Sequence, residues 1–137
     1  LGGTNLAEPR HHGLCQWGLT KAAAVADALG EGVLHAARQF MSTDSVAVLK
    51  YGVDLGTRTW KSFLARLGWA AETIDKVICH QVGAGHQAAM LKAFGIPAEK
   101  NFSTFEFLGN MGTVSLPLTA ALAEEREFLR PGDNVGF

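Results

Sequence analysis

His80 and Asn110 are the residues of this sequence whose type and surroundings point most directly to chemistry. His80 lies in the run Cys79-His80-Gln81-Val82-Gly83, and thirty residues later Asn110 lies in Leu108-Gly109-Asn110-Met111-Gly112-Thr113. Each run places one neutral hydrogen-bonding side chain where an extended segment gives way to a turn and then to a helical pattern. A ring N–H and a side-chain amide placed in this way aim two donors at one small oxygen. That is the layout that stabilises a carbonyl oxygen as it gains negative charge. No good nucleophile accompanies the pair. Cys79 precedes His80 directly, but successive strand residues point to opposite faces, so it reads as a packed, inert thiol.

The elements that must carry these residues follow from the hydrophobic pattern. Ser42-Thr43-Asp44-Ser45 offers N-caps for a helix in which Val46, Leu49, Val53, Trp60, Phe63, Leu64 and Leu67 fall at helical spacing, with Gly68 as its stop. Val77-Ile78-Cys79 is a short apolar run of the kind buried on both faces of a sheet. Gly83 to Gly85 turns the chain, and residues 86–94 then form a helix closed by Gly95. Residues 101–104 are a short strand candidate, and a helix runs over about 113–129, with Pro117 tolerable in its first turns. A last strand begins at Val135. This alternation predicts an α/β domain with crossover connections, whose functional side chains gather at strand ends and helix starts. Ahead of it, residues 1–19 read as irregular and 20–41 as an Ala-rich, Gly-interrupted helical segment. The expected organisation is therefore a linker or insert over 1–41 and an α/β half-domain over 42–137, cut off as its final strand begins.

With 137 residues, 47 % hydrophobic and 18 % charged, the chain reads as globular and large enough for a single core. A formal net charge of −1 offers no basic face for nucleic acid. No apolar run approaches the roughly twenty residues that span a bilayer, and the N-terminus is neither a signal nor a transit peptide. Two cysteines, Cys15 and Cys79, make no disulfide framework, which points to a reducing, cytoplasmic setting.

The stretch from Ser42 to Gly136 resembles the C-terminal half of the β-ketoacyl-acyl-carrier-protein synthase III group of the thiolase superfamily. The likeness rests on His80-Gln81, then Gly109-Asn110 at the family spacing, then Ser115 and Pro117 in the following helix. It implies a thiolase-like fold, the C-terminal half of a five-layered α-β-α-β-α sandwich with a mixed sheet flanked by helices. It also implies an acyltransferase of fatty-acid biosynthesis that performs decarboxylative Claisen condensation of acyl thioesters. His80 and Asn110 would then form the oxyanion hole, and Gln81, Gly83, Phe107, Gly109 and Met111 would line the substrate. The nucleophilic cysteine would come from an N-terminal thiolase half, without which the chain alone is inactive. Coenzyme A or phosphopantetheine thioesters would be substrates rather than cofactors, acyl-CoA and acyl carrier protein the partners, and a homodimer the full-length form. Val82 and Gly83 replace the usual Ala-Asn of the group, and Gly85 stands where its carrier-docking arginine would sit. With Leu67-Gly68-Trp69 and Phe94-Gly95-Ile96, this variant is similar to relatives that condense two acyl-CoA chains head to head in olefin synthesis, without decarboxylation. A catalytically inactive half-domain is the remaining alternative.

Other clusters carry less. His11, His12 and Cys15 lack a fourth ligand nearby, so no metal site is read there. His86 reads as a turn or surface residue near a helix start. Gly109 to Thr113 superficially resembles a phosphate loop but has no lysine.

Overall fold

The computed structural model of the chain describes residues 2–19 and 39–137. They fall into two compact units, Ala7–Gly52 and Leu1–Leu6 with Val53–Phe137. In the smaller unit a 3-10 turn, Pro9–Leu14, leads into strand β1, Cys15–Leu19, which pairs antiparallel with β2, Gln39–Thr43. Cys15 lies opposite Thr43 and Leu19 opposite Gln39. Residues 15–19, expected to be irregular, are therefore a strand, because their partner lies beyond any local sequence window. Residues 39–41 are strand as well, and the remainder of the expected Ala-rich helix lies outside the described residues.

Helix α1, Ser45–Leu67, opens in this unit. Of the four N-cap candidates Asp44 takes the part: its Oδ1 accepts the Ala47 N–H at 2.9 Å, satisfying one of the orphan donors of the first turn. Val46, expected on the apolar stripe, is 77 % exposed.

The larger unit holds the core. Strand β3, Lys76–Val77, pairs in parallel with β4, Val135–Gly136, and Val77 also bridges in parallel to Asn101. β3 is thus the centre of three short parallel segments. Helix α2, Ala84–Phe94, connects β3 to the Asn101 segment, while α3, Phe105–Leu108, and α4, Ser115–Glu125, lead on to β4. Parallel neighbours need such crossovers. Ile74, Val77, Leu91 and Ile96 are buried together, with Trp60, Leu64, Trp69, Cys79 and Phe94 packed on them. Each such aliphatic side chain contributes about 1.5–3 kcal/mol on full burial.

The ends of α1 and α2 share one device. Gly68 (φ 65°) and Gly95 (φ 70°) adopt the left-handed conformation, and the next residue's N–H returns to a carbonyl five residues back, Trp69 to Leu64 at 3.0 Å and Ile96 to Leu91 at 2.9 Å. The returning residues, Trp69 and Ile96, join the core. The hydrophobic pattern placed both stops correctly. The last helix is shorter than expected, beginning at Ser115 after a 3-10 turn, Gly112–Val114, and ending at Glu125. The four-residue α3 was not foreseen, since one turn leaves no periodicity to read.

Candidate functional site

His80 follows β3 by three residues. Cys79 before it packs on the core and Gln81 after it is 1 % exposed, while His80 itself is exposed. The imidazole makes no hydrogen bond among the described residues. Asn110 is also exposed, in the turn between α3 and the 3-10 segment that precedes α4. Its Oδ1 accepts the Gly112 N–H at 2.9 Å. That bond turns the amide oxygen inward and leaves Nδ2, a pure donor, facing away from it. Gly109 (φ 62°, ψ −151°) sits just before, in a region of backbone space open essentially only to glycine, so no other residue starts this turn without strain. Gly83, by contrast, is extended (φ 175°) at the N-cap of α2, a conformation any residue adopts.

Gln81 anchors the His80 segment. Its Nε2 donates to Thr119 Oγ1 at 2.7 Å and to Thr104 Oγ1 at 3.1 Å, and its Oε1 accepts the Thr104 N–H at 3.1 Å. The two threonine hydroxyls lie 2.8 Å apart, and Thr104 and Thr119 are 5 % and 0 % exposed. The amide orientation is fixed by chemistry: flipping it would set NH2 against the Thr104 N–H, donor against donor. One proton arrangement closes the network, with Thr119 donating to Thr104 and Thr104 donating to Gln81 Oε1. Gln81, expected against substrate, is instead committed to protein partners, because its short reach into the interior finds three buried polar groups. Ser115, 1 % exposed, holds the other segment by accepting the Met111 N–H at 2.8 Å.

Family comparison matches residues 64–137 to the 3-oxoacyl-[acyl-carrier-protein (ACP)] synthase III C-terminal family. The chain belongs to this family. Within the synthase III family and its relatives, it is 52 % identical over all 137 residues to an acyl-CoA:acyl-CoA alkyltransferase of Shewanella oneidensis, of which it spans 36 %. It is 32 % identical to a β-ketoacyl-[acyl-carrier-protein] synthase III of Oleidesulfovibrio alaskensis over 70 % of the chain and 29 % of that protein. A crystal structure of OleA from Xanthomonas campestris superposes on 99 % of the chain and 35 % of its own, with TM-score 0.78 and 29 % identity. Another structure of that OleA, with bound lauric acid and lauroyl-CoA, covers 69 % of the chain and 28 % of its own at TM-score 0.66 and 36 % identity. The fold is accordingly thiolase-like. The chain spans about a third of the length of these relatives.

Phe107 is 75 % exposed and Met111 half-buried, and Gly83 faces the Phe105 ring. Burial pushes the Cys79 thiol up to about 11, which removes it as a nucleophile near neutrality. His86, read from sequence as a surface or turn residue, is half-buried on the first turns of α2. Its pKa is lowered, first by burial and then by the positive charge of His80, and its Nδ1 has no partner among the described residues. His11 stacks on Tyr51 with ring centroids 3.8 Å apart, and His12 Nδ1 lies 2.8 Å from the Pro9 carbonyl. Sequence reasoning missed Thr104, Ser115 and Thr119 as parts of the site's frame. The signal was present in one place: Ser115 and Thr119 are four apart in the stretch 115–123, which is otherwise apolar, and so share a helix face.

Among the described residues no helix is long and apolar enough to cross a membrane, and no group of three or more His, Cys, Asp or Glu side chains is placed to hold a metal ion.

Proposed function

We propose that His80 and Asn110 are the two oxyanion donors of an acyl-thioester condensing site, and that the thioester they bind belongs to an acyl-CoA. The observation that carries this is that, among the described residues, Asn110 Nδ2 is left without a protein partner while Oδ1 takes the Gly112 N–H, and the ring of the exposed His80 makes no hydrogen bond. In this reading a base elsewhere in the protein removes a proton from the α-carbon of the acyl-CoA. The thioester oxygen takes up the charge as an enolate, held by His80 and Asn110. The α-carbon then attacks the carbonyl of an acyl group carried on a cysteine of the N-terminal half, a carbon–carbon bond forms, and the cysteine thiolate leaves. The product is a β-ketoacyl-CoA, formed in a cytoplasmic homodimer.

Head-to-head condensation is favoured over the decarboxylative reaction because likeness to the alkyltransferase runs through the whole chain, whereas likeness to the synthase III relative covers 70 % of it. Gly85 at the carrier-docking position agrees with coenzyme A as the carrier. The test uses the full-length protein with two acyl-CoA molecules, or with acyl-CoA plus malonyl thioester, and measures the β-ketoacyl thioester formed and carbon dioxide. His80→Ala and Asn110→Ala should each lower condensation about 10²–10³-fold while leaving acylation of the cysteine intact. Loss of acylation in both variants refutes the donor role, and carbon dioxide release in step with product refutes the head-to-head reaction.

A further inference from the structure

Helix α4 presents two buried hydroxyls one turn apart, and each holds the residue that follows one member of the donor pair. Ser115 accepts the N–H of Met111, next to Asn110, and Thr119 accepts Nε2 of Gln81, next to His80. Four residues of α-helix rise about 6 Å, so the backbone of α4 fixes the spacing of the two anchor points. Neither loop could fix that spacing alone. Both hydroxyls are at most 1 % exposed, and each bond is shorter than 2.9 Å. Each hydroxyl gives a partner to a group that would otherwise lose one, the Met111 N–H or the Gln81 amide, and because both sit on one helix they also hold a fixed distance.

We propose that Ser115 and Thr119 are positioning residues that set the separation of the His80 and Asn110 donors, acting through Met111 and Gln81. This rests on the reading of that pair as the oxyanion site. Losing either hydroxyl frees one segment to shift while the other stays in place. The two donors then no longer converge on one oxygen, and a misplacement of about 1 Å costs on the order of 10²-fold in rate. Acylation of the cysteine does not use this oxygen and is not touched.

The experiment compares Thr119→Val, Thr119→Ser and Ser115→Ala in the full-length protein, measuring condensation kcat and KM alongside the rate of cysteine acylation by acyl-CoA. Thr119→Val should lower condensation kcat by about 10²-fold with KM and acylation little changed, and Thr119→Ser, which keeps the hydroxyl, should recover most of the loss. Ser115→Ala carries the same expectation from the Asn110 side, so a failure of Thr119→Val to fold still leaves a decisive variant. A folded Thr119→Val or Ser115→Ala enzyme condensing at the wild-type rate overturns the proposal. So does a parallel fall in acylation and condensation in a variant that remains folded, which marks a general loss of activity and not a loss at the donor pair. His80→Ala separates the two layers: if it condenses normally the site itself is wrong, and if it is inactive while Thr119→Val is normal, only the positioning role falls.

Discussion

Replacing Gln81 with leucine keeps the volume of the side chain and removes every polar atom that ties the His80 segment to its surroundings. The structure states what is left behind. The Thr104 N–H, which donates to Gln81 Oε1 at 3.1 Å, loses its acceptor in a residue 5 % exposed. The Thr104 and Thr119 hydroxyls keep each other at 2.8 Å and lose their bonds to the Gln81 amide, two for Thr104 and one for Thr119. One fully orphaned buried group costs about 1–3 kcal/mol, and the partial losses bring the sum to about 2–4 kcal/mol. Against a typical domain stability of about 5–15 kcal/mol this is a large fraction. It amounts to a shift of about 30- to 700-fold in the equilibrium for opening this region. Hydrogen exchange of the full-length protein, read at the Thr104 amide, reports the change locally, and urea unfolding reports it globally. Gln81→Glu sharpens the test. Burial raises the pKa of the introduced carboxyl, so the folded state binds more protons than the unfolded one above the ordinary Glu range, and stability falls as pH rises through that window. A Gln81→Leu protein with unchanged Thr104 protection, or a Gln81→Glu protein with no such pH dependence, would refute the network as described.

Three other outcomes are expected. Cys79, with its thiol raised to about 11 by burial, should resist alkylation by iodoacetamide at pH 8 while the exposed Cys15 reacts, and peptide mapping of the modified protein checks this. Because the folded thiol holds its proton longer than the unfolded one, that burial contributes stability below the unfolded value of about 9 that is lost as pH rises toward 11, up to about 3 kcal/mol. His86 has its pKa lowered by burial and by His80, so the unfolded chain takes up the proton first and this contribution to stability is lost as pH falls below the ordinary histidine value; NMR titration should find the His86 pKa higher in His80→Ala, and an unchanged value would show that the two rings do not interact. Gly109→Ala should cost about 1–3 kcal/mol, because the new β-carbon meets a backbone conformation open to glycine, and a melting temperature equal to wild type would count against that turn geometry.

The sequence determined the helices whose signals are local. Gly68 and Gly95 end α1 and α2 where they were expected to, since a left-handed terminus needs only the glycine and an apolar residue beyond it. It also determined that His80 follows a strand and that His80 and Asn110 each precede a helix, whereas the extended segment expected before Asn110 is the short helix α3. Tertiary structure decided the rest. β1 exists through a partner strand 20 to 28 residues away, and the short β3 through Asn101 and β4, so neither could be bounded from its own residues. Gln81 looked like a ligand contact beside a candidate catalytic histidine. Only folding brings Thr104 and Thr119 to it from 23 and 38 residues along the chain, and the cost of leaving a buried amide unpaired then turns it inward. The residue types of the candidate pair are written in the sequence; that one helix anchors the residue after each of them is legible only once the chain has folded.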